Sequence, residues 1–230
     1  MKDIGDEETS IFGVFVQGTN DLPQPFEWIY PTTLDTVQIS GENSFDWVTI
    51  KWTKSIDPDG NEVMYWFSHK FFWVPFYALL LYLLIKHYGW KTGLILGVSV
   101  VVCFAITNTV STEVFKKGIQ RLRPTHNPQI KDLVHVVNNH RGGYYGFFSS
   151  HASNVFGLAV LIGLYLKPKI KYMLIGLILW AAIISYSRLY LGVHYPLDIL
   201  CGAIFGSTIG WLTFWLTKKF VLTNKKFQTT

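Results

Sequence analysis

Apolar residues are scattered through the first seventy positions and then gather into long blocks. Five blocks read as membrane helices: about 71–85 (FFWVPFYALLLYLLI, with a start as early as 63), 92–110, 152–166, 170–185 and 197–216. Crossing ~30 Å of hydrocarbon takes ~20 residues, so several blocks must borrow a turn from their flanks. The third and fifth do so from polar sequence. Gly93, Gly97, Gly157, Gly163, Gly202, Gly206 and Gly210 lie inside the blocks, where small residues let neighbouring helices approach closely. The expected fold class is all-α: a polytopic membrane helical bundle with five clear spans and an irregular acidic N-terminal segment.

Three parts follow from this pattern. Residues 1–62 are acidic, with scattered aromatics (Phe26, Trp28, Tyr30; Phe45, Trp47, Trp52) and a turn signal at Asp57-Pro58-Asp59-Gly60. They read as an extramembrane segment that lies along the interface or packs loosely. Ile11–Val16 is too short to span, and the first thirty residues lack the apolar centre of a secretory signal. Residues 63–217 form the membrane core and 218–230 a basic tail.

Composition agrees with a membrane protein: half of the residues are hydrophobic and 15% are charged, against roughly 25% in soluble domains. The net charge of +5 hides an asymmetry. Twelve of the fifteen acids but only four of the twenty bases precede residue 71, a balance of −8 that leaves +13 for the remainder. Those bases flank apolar blocks, so membrane topology and phosphate binding explain them better than nucleic acid does. Cys103 and Cys201 each sit inside an apolar block with no CxxC or paired Cys/His spacing. They read as small buried apolar side chains, and neither a zinc site nor a disulfide framework is expected.

The connectors 86–91 and 167–171 are short and basic, like the tail with Lys218, Lys219, Lys225 and Lys226. The positive-inside rule places all three on the cytoplasmic side. The N-terminal segment and the loops 113–150 and 186–196 then fall on the opposite side. Loop 113–150 defies the rule, because it carries Lys116, Lys117, Arg121, Arg123, Lys131 and Arg141. Bases held on the outer face call for an anion.

Three clusters in these loops supply the chemistry. Lys116 is followed after six residues by Arg123-Pro124; Phe148-Ser149-Ser150-His151 opens the third block; Ser187-Arg188 precedes His194 and Asp198. By residue type this is a phosphoryl-transfer site, which needs positioning and charge stabilisation above all. Lys116, Arg123 and Arg188 supply cations, the arginines with planar forks suited to phosphate. Ser149 and Ser150 stand where a helix begins, so a serine cap, free N–H groups and the dipole make an anion cradle. His194 has Asp198 four residues on, with Pro196 fitting the first helical position. A carboxylate that fixes the tautomer marks His194 as the nucleophile. His151 lacks such an acid and reads as the proton donor. In loop 125–147, His126, His135, His140 and Arg141 are head-group candidates, with packing or solvent the plainer reading.

The pattern KxxxxxxRP…SxH…SRxxxxxHxxxD resembles that of the type 2 phosphatidic acid phosphatase (PAP2) superfamily over about residues 71–217, and FSSHASN and SYSRLYLGVHYPLD look most like bacterial undecaprenyl-diphosphate and lipid A phosphatase-like members. The resemblance implies a PAP2-type bundle and a phosphohistidine on His194, with Asp198 orienting it and His151 protonating the leaving group. It also implies that Lys116, Arg123, Ser149, the Ser150 N–H and Arg188 hold phosphate, with no metal and no cofactor. Phe148 and Ser150 replace the usual Pro and Gly, and Ser150 would be strained if its position required positive φ. Such members commonly have six helices, and the missing one is the first, where the acidic segment stands. The expected partner is a lipid phosphate: undecaprenyl diphosphate, lipid A 1-phosphate, phosphatidylglycerol phosphate or phosphatidic acid. The expected setting is a bacterial inner membrane, with the site on the periplasmic face. A vanadate-dependent haloperoxidase and a non-enzymatic membrane scaffold are the alternatives.

Overall fold

The computed structural model describes residues 26–28, 34–39, 48–52, 58–128, 131, 134 and 136–223. Within the N-terminal segment, β1 (Phe26–Trp28), β2 (Leu34–Ile39) and β3 (Val48–Trp52) pair antiparallel in that order. The register sets Trp28 against Val37, and Val37 against Ile50. This corrects the irregular segment expected there: VTIKW and LDTVQI are rich in β-branched residues that suit a pleated surface, but they are too short and polar to register as apolar blocks.

Helix α1 (Pro58–Ser68) follows, then a 3-10 turn (Lys70–Trp73) leads into α2 (Val74–Tyr88). At 11 residues α1 rises only about 16 Å, too little to span. Helix α3 (Trp90–Thr109) runs on through a π segment (Val110–Lys116) into α4, a three-residue turn (Lys117–Ile119). Then come α5 (Ser150–Leu166), α6 (Met173–Tyr190) and α7 (Pro196–Thr217), extended by a π turn to Leu222. Four of these, among the described residues, are long and apolar enough to cross a membrane, and α5 is a shorter apolar helix.

Of the five expected spans, four are present with shifted ends, and the third, α5, is at 17 residues a shorter apolar helix. Lys116 lies in a helix that continues to Ile119 rather than in a loop, and Ser187 and Arg188 lie on α6 rather than beyond it. Hydropathy locates the lipid-facing part of a helix. Polar last turns that bury their charges inside the bundle escape it.

Helix α5 sits at the centre. Its Ala152, Ala159, Leu161, Tyr165 and Leu166 are fully buried, and it packs against α3, α6 and α7. A core of Leu80, Leu84, Leu96, Cys103, Leu158, Leu177 and Ala181 fills the space between helices. Val98, Val101, Leu179, Ile183, Leu200 and Ile204 point outward and are exposed, as a lipid-facing surface requires. Polar bonds cross the bundle as well: Thr107 Oγ1 donates to Asn154 Oδ1 (2.7 Å), and the Tyr88 hydroxyl donates to the Tyr165 carbonyl (2.5 Å). The second bond, with Lys169 over the Tyr88 ring at 5.7 Å, sets the two short basic connectors at one end of the bundle.

Helix α7 lies directly against the α5 backbone along Gly202, Gly206 and Gly210. A Cβ at Gly202 would stand 2.6 Å from the Ser149 carbonyl oxygen, and at Gly206 and Gly210 closer still to those of Ser153 and Gly157. Without Cβ atoms the helices meet backbone to backbone, the close packing on which membrane helices rely. Gly206→Leu is therefore expected to lower the thermal midpoint in detergent, at a cost of about 3 kcal/mol or more. Gly176→Ala, on α6 with nothing within 4 Å of its Cβ position, should be neutral or mildly stabilising.

Candidate active site

Two short loops are tied together before any side chain matters. The Arg123 N–H donates to the Tyr144 carbonyl (2.9 Å), and the Gly146 N–H to that of Arg121 (2.8 Å), around a bridge of Leu122 with Tyr145. Alternation in this extended stretch sends Arg121 and Arg123 the same way. Gly142, at φ +68°, supplies the left-handed turn, and a Cβ there would meet the Arg123 guanidinium at 2.6 Å. The loop thus closes tightly over that side chain.

Asp198 is the hub. Tyr195 caps α7 and Pro196 opens it, which puts Asp198 in the first turn, fully buried. Its Oδ2 accepts from the Tyr195 N–H (3.0 Å) and lies 3.2 Å from His194 Nδ1. Its Oδ1 accepts from Arg121 (2.8 Å), whose guanidinium stacks 4.3 Å over the Tyr195 ring. The Asp198 backbone carbonyl accepts from the Ser149 N–H (3.0 Å), joining the starts of α5 and α7.

His194 is buried, and its Nε2 has no hydrogen-bond partner. Burial first, then the charges of Arg123, Arg188 and Lys116, holds this imidazole well below its ordinary pKa. The ring is neutral at neutral pH. With Nδ1–H donating to Asp198, the Nε2 lone pair is free. Arg123 is buried beside it, donating to the carbonyls of Tyr145 (3.2 Å) and Val193 (3.4 Å).

A further cation, Lys116, reaches the start of α5 from the π segment. Ser149 caps the helix, accepting from the Ala152 N–H (3.4 Å). Lys116 donates to the Ser150 hydroxyl (2.7 Å), which also takes a bond from Ser111 (2.8 Å). Ser150 is the first helical residue and is not among the residues with positive φ. The strain considered for it does not arise, and its hydroxyl gains a role that glycine cannot fill.

Arg188 and His151 line a polar pocket of about 190 Å³ with Tyr65, Ser68, His69 and His140. Arg188 is buried, donates to the Ser68 hydroxyl, and leaves its Nε without a partner. Lys70, on the pocket rim, also lines an apolar groove of about 560 Å³ that runs past Leu80, Leu84, Val98, Phe104 and Leu158. Polar pocket and apolar groove therefore meet at one lysine.

All eight residues singled out from sequence gather at this end of the bundle. Of the loop candidates, His140 reaches the pocket. His126 lies against the Tyr144 ring (centroids 4.6 Å apart, tilted 48°) and its Nδ1 is 3.1 Å from the Thr125 hydroxyl, Arg141 is exposed, and His135 lies outside the described residues. Sequence reasoning did not single out Arg121, Ser111 or the α1 wall. Arg121 had a legible signal: an Arg-x-Arg pair before a proline, which favours extended backbone, puts both arginines on one face. Ser111 and Ser68 had none.

Neutral His194 should keep the ring-nitrogen NMR pattern of the uncharged imidazole as pH falls through 6.5, the ordinary value for the side chain. Protonation at or above that pH would contradict the geometry. Arg121→Ala is expected to cost about 3 kcal/mol by leaving a buried carboxylate short of a partner, read as a lower melting midpoint. Arg121→Lys should recover only part, for want of the planar fork.

A PAP2 superfamily model matches residues 92–222. The lipid A 4'-phosphatase of Bacteroides thetaiotaomicron is 43% identical over 156 residues, 66% of this chain and 68% of the relative. The undecaprenyl-diphosphatase of Sulfolobus acidocaldarius is 34% identical over 147 residues, 64% of each chain. Among solved structures, a transmembrane PAP2 type phosphatidylglycerolphosphate phosphatase from Bacillus subtilis superposes with a TM-score of 0.55 at 23% identity, over 73% of this chain and 81% of the other.

Proposed function

This chain belongs to the PAP2 superfamily, and from that premise we propose that it is an integral membrane phosphatase that hydrolyses a lipid phosphate with His194 as nucleophile. One observation carries the reading: a buried, neutral imidazole is oriented by a carboxylate through Nδ1, while its Nε2 has no partner and lies in the field of three cations.

In the proposed reaction His194 Nε2 attacks phosphorus, a P–N bond forms and the P–O bond to the lipid breaks. His151 gives its proton to the departing oxygen. Asp198 stabilises the positive ring by holding Nδ1–H. Lys116, Arg123 and Arg188 offset charge on the equatorial oxygens, with the Ser150 N–H and the Ser149-capped start of α5 behind them. Water, losing a proton to His151, then attacks phosphorus and frees phosphate and His194.

The apolar groove that meets the polar pocket at Lys70 supports an amphiphile with its tail among α2, α3 and α5. The names of the relatives favour phosphorylated saccharolipids of the lipid A kind first and prenyl diphosphates second. Basic connectors at the opposite end support a site on the outer face of a bacterial inner membrane.

His194→Ala should abolish phosphate release in detergent while leaving the melting transition in place; retained turnover would remove the nucleophile assignment. His151→Ala should slow lipid turnover about 10²–10⁴-fold. With a nitrophenyl phosphate, whose leaving group needs no proton, the same variant should trap radiolabelled phosphate on the protein as an acid-labile adduct. Vanadate should compete with substrate in the presence of EDTA.

A further inference from the structure

One side of the polar pocket is built from α1 and the residue after it, which lie before the residues matched by the family model. Ser68 accepts from Arg188, tying this wall to the phosphate site. His69 Nδ1 and Arg188 Nε are both buried without a partner, an arrangement that costs free energy unless something binds there. The Tyr65 ring lies 6.2 Å from that of His69, and 6.1 Å from that of His140 at 81°. The three rings form a corner.

Three properties of this corner narrow its ligand. It adjoins His151, the proposed proton donor, so it lies where the leaving oxygen departs. Its volume of about 190 Å³ is more than a single phosphoryl group fills. Burial, then Arg188, Arg123 and His69, holds His140 below its ordinary pKa, so that ring is uncharged at neutral pH. It offers hydroxyl groups one donor and one acceptor rather than a charge. Ring faces for C–H surfaces beside the uncharged His140 edge and the donors of Arg188 and Lys70 suit a polyhydroxyl ring.

We propose that Tyr65, Ser68, His69 and His140 form a saccharide subsite on the leaving-group side, so that the phosphate removed is one esterified to a sugar hydroxyl of a lipid. The inference rests on the phosphatase reading and adds to it the class of alcohol released. Arg188 belongs to both halves, holding phosphate with its free edge and the subsite wall through Ser68.

Steady-state kinetics of the full chain in detergent test this with three probes: lipid A carrying a 4'-phosphate, phosphatidic acid and undecaprenyl diphosphate. His69→Ala and His140→Ala are each expected to lower kcat/KM on lipid A about tenfold, near the effect of one lost hydrogen bond, chiefly through KM. The ratio of lipid A to phosphatidic acid turnover should fall by the same factor. Tyr65→Phe, which keeps the ring, should preserve that ratio, and Tyr65→Ala should lower it. Equal losses on all three probes would mean a structural role and overturn the subsite. A wild-type preference for undecaprenyl diphosphate, diminished by the same variants, would assign the corner to a second phosphate instead. A wild-type chain inactive on every probe would reject the phosphatase reading itself, and the subsite with it.

Discussion

Asp198 carries a carboxylate that no water reaches, and the site end of the bundle is organised around satisfying it. Burying an unpaired charge is prohibitive, so Arg121 from one loop, the Tyr195 N–H from the start of α7 and His194 are all drawn to its two oxygens. Its backbone carbonyl holds the Ser149 N–H at the start of α5. One first-turn residue thereby fixes two helix starts and the 121–146 loop. The orientation of the proposed nucleophile follows from it. Hydrogen bonds to a charged group inside a low-dielectric site are stronger and more directional than those in water.

That hub requires α5 and α7 to meet closely. Ser149 and Asp198 are within hydrogen-bond reach because Gly202, Gly206 and Gly210 remove every Cβ that would separate the helices. Packing in the membrane interior and geometry at its surface are in this way one problem. The same closeness brings the serine-capped end of α5 beside His194, with Lys116 reaching in from a helix that a π segment carries past its apolar limit. Such π segments are frequent at functional sites.

The N-terminal segment connects to this end through α1. This helix, too short to span, closes one side of the polar pocket and hands Ser68 to Arg188. The pocket wall thus comes from the short helix before the spans and the 125–147 loop, while the phosphate-facing residues come from the bundle and its site-end loops. A scaffold for phosphoryl transfer and a separate wall beside the leaving group is a division that lets substrate choice vary without disturbing the chemistry.

Sequence alone determined the helical membrane bundle, the positions of its five apolar helices, the shared face of the site and the eight residues gathered there. Each of these depends on local or periodic information: apolar runs, basic connectors, the His194–Asp198 spacing around Pro196, and a serine pair before a helix. Tertiary structure decided the rest. Helix ends ran past their apolar blocks because Lys116 and Arg188 found partners inside the bundle. Ser150 escaped strain by standing at the first helical position. Arg121 became the carboxylate's second cation, and residues 65–70 became a wall of the pocket. Such contacts join positions about 35 to 120 residues apart, and no pattern along the chain encodes which distant hydroxyl or carboxylate a buried cation will meet.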